Sequence, residues 1–344
     1  MNCYMYDFNK DDSLDDFIKN NAINQQDYKL KEIYSDNCKF QYEYIICKEN
    51  DKILGILPFI LYNNINGNVI HSMPFVGYGG IASLNENKDE IYSSIIDYLN
   101  EFAVKNNVLL ITICTKPFDS DYDLYKKYFK PDYERKNFYQ YMFLDGDIEA
   151  NMKGKFRRNL KRNIKKCKEC GVILEESKDL NDLKLWYNDV YCKRLTETNC
   201  AIYPYKVFET MLLKLDDARV KMVYTKLDGK IIGGGLFLNQ GISFDNFMRV
   251  VDSEYFYTQA GNLIDEWSIE YAQNVGVKYY NWQSCDEIGS TIYKYKEDWG
   301  SKLDYHYYLT KIVGDVSSFK KTPLKTIKEE YKGIYVMPYE EFEN

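Results

Sequence analysis

Glu101-Phe102-Ala103-Val104-Lys105-Asn106-Asn107-Val108 and Glu270-Tyr271-Ala272-Gln273-Asn274-Val275-Gly276-Val277 share one pattern at an offset of 169 positions, close to half of the 344-residue chain. Each copy closes an amphipathic helix and runs into an apolar strand, Leu109 to Cys114 in the first and Lys278 to Gln283 in the second. Upstream, Asp51-Lys52-Ile53-Leu54-Gly55 is echoed by Gly229-Lys230-Ile231-Ile232-Gly233 at an offset of 178. Both read as a tight turn that opens a strand. Two echoes in the same order predict a duplicated unit. The expected fold is α/β, with two tandem lobes over 1–150 and 151–313 and mixed central sheets. A C-terminal helix and acidic tail follow over 314–344.

Working outward, the first lobe is expected to pair strands Phe40–Cys47 and Ile53–Leu61 across Glu49-Asn50-Asp51. The pattern breaks at Asn63–Asn68. A glycine-rich loop follows at Pro74–Gly80, then helix Asn87–Lys105 and buried strand Val108–Cys114. Tyr133–Leu144 reads as the lobe's last strand. The second lobe opens with a basic helix from Lys155 to Gly171. Its meander comprises Arg219–Thr225, Lys230–Asn239 and Ile242–Val250, followed by helix Gly261–Asn274 and strand Val277–Gln283. Tyr293–Trp299 reads as helical, and Tyr305–Lys311 as a closing strand.

Composition narrows the function. No apolar run reaches membrane-span length, and Met1–Lys10 lacks the basic-then-apolar order of a signal peptide, so the expected location is the cytoplasm. Nine cysteines without scaffold spacing argue against a disulfide framework, and Cys167-x-x-Cys170 lies in a basic helix rather than after a strand. Two histidines exclude a histidine-rich metal centre, and no metal is expected. No G-x-G-x-x-G follows a strand, which disfavours a Rossmann nucleotide site. Against a net charge of −7, nine Lys or Arg fall between Lys153 and Lys168. Arg158 and Arg162, spaced i, i+4, share a helix face. They would clamp an anionic acceptor, such as a nucleotide-linked sugar, a lipid pyrophosphate or a tRNA backbone. The other reading is a solvated helix.

Meander, helix, strand is the order found in the GNAT acyltransferases. Three segments resemble the Fem-type branch of that superfamily, which holds the aminoacyltransferases of peptidoglycan cross-bridges and related envelope acyltransferases. They are Gly154-Lys155-Phe156-Arg157-Arg158-Asn159-Leu160-Lys161-Arg162-Asn163, the strand end Tyr280-Asn281-Trp282-Gln283-Ser284, and Tyr293-Lys294-Tyr295-Lys296-Glu297-Asp298-Trp299-Gly300. The resemblance implies two GNAT-like lobes. It also implies a donor pyrophosphate at Gln259, Ala260, Gly261 and Asn262, where a helix presents free amides. Gly79 and Gly80 would border the substrate cleft, and Gln283 and Tyr295 would contact substrate. Two departures stand out. The family's aspartate–aromatic–glycine reads Asn281-Trp282-Gln283 here, without a carboxylate, and there is no heptad-patterned arm.

Aminolysis of an acyl donor needs a proton acceptor and a stabilised oxyanion. The resemblance assigns the oxyanion to Lys296; the alternative is a solvent lysine. Asp245, Asp286 and Glu287 are candidate bases, and an amine bound already neutral needs none. The reading is an acyltransferase that moves an acyl or aminoacyl group onto an amine of a cell-envelope precursor or related sugar. Acyl-CoA is the expected donor and aminoacyl-tRNA the alternative. The expected partner is an anionic or lipid-linked acceptor, with tRNA as a possible second and no DNA. Proximity to a membrane would be peripheral. A GNAT-derived binding protein without chemistry is the non-enzymatic alternative.

Overall fold

A computed structural model describes residues 1–8, 13–118, 120–285 and 287–331. The acidic tail and Asp286 lie outside them. The first half carries β1 (Asn2–Met5), β2 (Phe40–Glu49), β3 (Lys52–Asn64), β4 (Gly67–His71), β5 (Ala82–Ser83), helix α1 (Lys88–Lys105), β6 (Val108–Cys114) and β7 (Tyr133–Phe143). The second carries α2 (Gly154–Glu169), β8 (Ile173–Glu176), β9 (Val220–Leu227), β10 (Lys230–Asn239), β11 (Ser243–Val251), α3 (Ala260–Asn274), β12 (Tyr279–Gln283), α4 (Thr291–Asp298) and β13 (Lys302–Ile312).

Contacts divide the chain into two compact units, one of residues 1–137 with 305–344 and the other of 138–304. The sheet of the first runs β1-β2-β3-β4-β6-β13, with the short β5 on β3; that of the second runs β8-β9-β10-β11-β12-β7. The two orders match strand for strand. In each, one neighbouring pair is parallel, β4 with β6 and β11 with β12, and the other registered pairs are antiparallel. The helix that crosses over that parallel pair is α1 in one unit and α3 in the other. This is the duplication that the echoes announce.

Two details differ from the sequence expectation. Strand Tyr133–Phe143 is not the first lobe's last strand, because Gln140–Phe143 pair with β12. Conversely, Tyr308–Ile312 of the closing strand pair with Cys114–Leu110 of β6 in the first unit. Each sheet takes its sixth strand from the other half of the sequence, so the unit boundaries fall at 137/138 and 304/305 instead of 150 and 313. The segment Asn63–Asn68 is also not a break. Asn64 pairs with Gly67 across a two-residue turn, and a further strand, β4, follows.

Local chemistry explains the shared parts. Asn50 (φ 52°) turns β2 into β3, and Asp228 (φ 51°) with Gly229 (φ 78°) turns β9 into β10, left-handed positions that suit Asn, Asp and Gly. Along α1, Ile91, Tyr92, Ile95, Ile96, Leu99 and Ala103 are buried, a 3.6-residue stripe that packs on Ile45, Leu57 and Ile111. Gly55 permits this approach, since a Cβ there would sit 2.6 Å from Ile91. In the second unit, Ile264, Ile269 and Ala272 of α3 and Leu160, Ile164 and Cys167 of α2 share a core with Phe237, Phe244, Trp282 and Trp299. No helix among the described residues is long and apolar enough to cross a membrane.

Candidate functional site

The parallel pair of the second unit ends early. β11 and β12 are ladder partners only at Ser243–Tyr279, Phe244–Tyr280 and Asp245–Asn281, although β11 continues to Val251. Past Asp245 the β12-facing edge of β11 carries no registered partner strand among the described residues. Asp245 sits where the strands part. Its side chain is fully buried. It accepts from Ser243 Oγ at 2.7 Å, Gln283 Nε2 at 3.2 Å and Gln240 Nε2 at 3.4 Å. Burial pushes its carboxyl up to about 6, against the opposing pull of these donors and Asn281. Asp245 lies directly across the ladder from Asn281. Asn281 Oδ1 instead accepts the Gln283 N–H at 2.9 Å and supports the sharp exit of β12, where Gln283 has φ 60°.

Lys296 is not a solvent lysine. It is 6% exposed, and Nζ donates to the carbonyls of Gln283 (3.0 Å) and Ser284 (2.9 Å). Two of its three donors thus hold the end of β12. Its helix, α4, is anchored as the motif implies. Tyr295 and Trp299 lie at 6.5 Å, both contact Phe156 edge-on, and Gly300 (φ 87°) ends the turn.

Helix α3 starts at Gln259–Asn262. Gln259 caps it with φ 65°, and the first turn of α3 holds no acidic residue. The side chains of Gln259 and Asn262 bond each other at 3.0 Å, and Ala260 N–H donates to Thr258 Oγ1 at 3.3 Å. A Cβ on Gly261 would stand 3.0 Å from Arg249 Nη1, so the glycine makes room for a guanidinium beside the helix end. Arg249 pairs with the fully buried Asp265 at 2.9 Å. The Tyr295 hydroxyl lies 2.7 Å from the same carboxylate oxygen and 3.0 Å from Asn262 Oδ1. Burial raises the Asp265 carboxyl, with Arg249 opposing.

The fold thus brings Asp245, Gln283, Lys296, Tyr295 and the 259–262 turn into one connected set of elements. Sequence reasoning missed Arg249, Asp265, Ser243 and Gln240. For Asp265 the signal was available, as an acid on the apolar stripe Ile264, Ser268, Ile269, Ala272. Arg158 and Arg162 are exposed on α2 and form no ion pair among the described residues, whereas Lys153 and Lys161 pair with Asp298 and Glu149.

Gly79 and Gly80 lie in the first unit and serve its packing. A Cβ on Gly80 would meet Tyr125 Oη at 2.5 Å, and one on Gly79 would meet Ser72 Oγ at 2.9 Å. Gln26 Nε2 donates to the Gly80 carbonyl at 2.8 Å, and Gly79 N–H donates to the Cys114 carbonyl at 3.1 Å. Cys167 and Cys170 sit at the end of α2 with the Cys167 thiol buried and pushed up to about 11. No group of three or more metal-ligating side chains occurs among the described residues.

No protein-family model and no curated protein sequence matches the chain. Solved structures do. FemX superposes with a TM-score of 0.70 at 12% identity, covering 90% of this chain and 97% of that one. L-PGS from Bacillus licheniformis gives 0.59 at 12% identity, covering 89% and 93%. A tandem GNAT protein from the clavulanic acid biosynthesis pathway gives 0.51 at 10% identity, covering 91% and 99%. The fold is that of the Fem-type branch of the GNAT-like proteins, with two tandem GNAT-like lobes.

Proposed function

We propose that the second unit transfers an acyl or aminoacyl group onto an amine of a cell-envelope precursor or related sugar, with acyl-CoA as donor. The observation that carries this reading is Asp245, a buried carboxyl titrating at about 6 where β11 and β12 part. A general base near the working pH is matched to take a proton from an ammonium. The open β11 edge would hold the donor's extended arm through backbone hydrogen bonds. The α3 end, with Arg249 beside it, would take the donor's phosphates. Asp245, directly or through one water, removes the amine proton. The nitrogen then attacks the acyl carbon, the C–N bond forms, the C–S bond breaks, and the leaving thiolate takes up the second proton that the nitrogen sheds. Lys296 holds the β12 exit and adds positive charge near the oxyanion.

Arg158 and Arg162, exposed and without an ion pair among the described residues, favour an anionic or lipid-linked acceptor. They also support the second reading, an aminoacyl-tRNA donor with ester in place of thioester, which the likeness to FemX and L-PGS makes worth testing. The experiment compares acetyl-CoA with charged tRNA as donor for the purified chain, each against amine-bearing envelope precursors, and follows product by mass. Turnover with acetyl-CoA that Asp245→Asn abolishes supports the first reading. Turnover with charged tRNA alone supports the second. No turnover with either leaves a binding protein.

A further inference from the structure

The nine cysteines are scattered in sequence, yet the fold sets two of them face to face. Cys3 on β1 and Cys47 on β2 are direct partners in the antiparallel register, 44 positions apart in the chain. The kind of pair follows from the ladder. Tyr6 N–H donates to the carbonyl of Tyr44, its own partner, at 2.8 Å, so Tyr6–Tyr44 is a hydrogen-bonded pair. Pairs alternate along an antiparallel ladder. Met5–Ile45 is therefore a non-hydrogen-bonded pair, Tyr4–Ile46 a bonded one, and Cys3–Cys47 a non-bonded one. At such a position the Cα atoms stand about 4.5 Å apart and the side chains lean together, within the range that a disulfide spans. Both thiols face the core that α1 covers, Cys47 fully buried and Cys3 partly exposed.

We propose that Cys3 and Cys47 form a reversible redox site, closed to a cross-strand disulfide by a low-molecular-weight disulfide as oxidant. Cys3 is the sulfur an oxidant can reach. Its proton lost to solvent, the Cys3 sulfur attacks one sulfur of R–S–S–R, and R–S⁻ leaves and is protonated by solvent. Cys47 then loses its own proton to solvent and attacks the Cys3 sulfur, and the second R–S⁻ leaves to be protonated by solvent. Two protein thiols are oxidised by two electrons, and one disulfide becomes two small thiols. The bridge ties the edge strand β1 to β2, where a four-residue strand is free to fray.

The test incubates the purified full chain with oxidised glutathione and maps disulfides by non-reducing peptide mass spectrometry. The expected result is a Cys3–Cys47 cross-linked peptide in the folded protein, reversed by reduced glutathione. The melting temperature should rise by about 5 °C or more, since the bridge closes a long loop in the unfolded chain. Cys47→Ser should trap a stable glutathione adduct on Cys3, which the wild type does not accumulate. Three results would each overturn the proposal: free thiols at both positions, a lasting adduct on wild-type Cys3, or a cross-link that appears only in denaturant.

Discussion

The two units share a strand order, a parallel pair and a crossover helix, and they differ where the parallel pair ends. In the second unit, β11 and β12 separate after Asp245–Asn281, and the gap is lined by a buried carboxylate. In the first, the equivalent opening beyond β4 and β6 is stitched shut. Ser72 N–H reaches the Thr112 carbonyl at 2.9 Å, Cys114 N–H reaches Ser72 Oγ at 2.8 Å, and Gly79 N–H reaches the Cys114 carbonyl. Cys114 and His306 then fill the space as a pair at 3.6 Å. Burial drives the thiol up to about 12 and the imidazole down to about 4, leaving both neutral. The helix ends differ as well. Asn87 and Gln259 both enter their helices with left-handed backbone, but α1 opens with Asp89 and Glu90 whereas α3 opens without an acid. Two carboxylates at a positive helix end repel a phosphate; their absence admits one. One architecture therefore yields a packed end in one copy and strands that part beside a buried carboxylate in the other.

The comparison breaks most directly at Asp245. Asp245→Asn should lower kcat for transfer by ~10²–10⁴ if the carboxylate is the base, while His306→Gln in the first unit should leave kcat within about twofold. Equal losses would show that the asymmetry is not catalytic. Lys296→Met should cost about 2–4 kcal/mol in urea unfolding, because two buried carbonyls lose their donor; a variant as stable as wild type would leave those bonds without energetic weight.

Two glycines sharpen the contrast. Gly80→Ala places a Cβ against Tyr125 Oη at a left-handed φ of 79° and should destabilise by about 2–4 kcal/mol without changing donor KM. Gly261→Ala presses on Arg249 and should raise donor KM several-fold at a stability cost within about 1 kcal/mol. A reversed pattern would move the donor site to the first unit.

The pH dependence of stability is a further check. The folded Asp245 carboxyl, at about 6, holds its proton more tightly than the unfolded one near 3.9. Stability should fall as pH rises from about 4 to about 6, by about 2–3 kcal/mol, and stay at the lower level above. Asp245→Asn should lack that slope when denaturation midpoints are compared across the window. The last effect belongs to the exposed α2 pair: Arg158→Glu with Arg162→Glu should raise acceptor KM by about twofold and weaken its salt dependence, with unfolding unchanged.

Much of this was legible in residue order. The echo at 101–108 and 270–277 identified the crossover helices, whose burial stripes repeat every 3.6 residues regardless of partner. The turns at Asn50 and Asp228-Gly229 were readable because left-handed backbone restricts residue choice. Asp245 was legible only as one of three candidate bases, and Tyr293–Trp299 only as a helix; the burial of Asp245 and Lys296 was not readable. Strand membership was different. Nothing in Gln140–Phe143 or Tyr308–Ile312 states which sheet each strand joins, because strand pairing is set by partners far along the chain.

What the sequence determined by itself was local: which segments are helix or strand, where the backbone must turn, and which faces are apolar. Those properties depend on neighbours within a few positions. Only the tertiary structure decided that Asp245 faces Asn281, that the Lys296 amine is spent on the carbonyls of Gln283 and Ser284, and that Cys3 meets Cys47. It also decided that Gly79 and Gly80 belong to a closed loop while Gly261 admits Arg249. Each of these is a meeting between residues distant in sequence, fixed by register and packing, and their chemistry follows from burial that no single segment can supply.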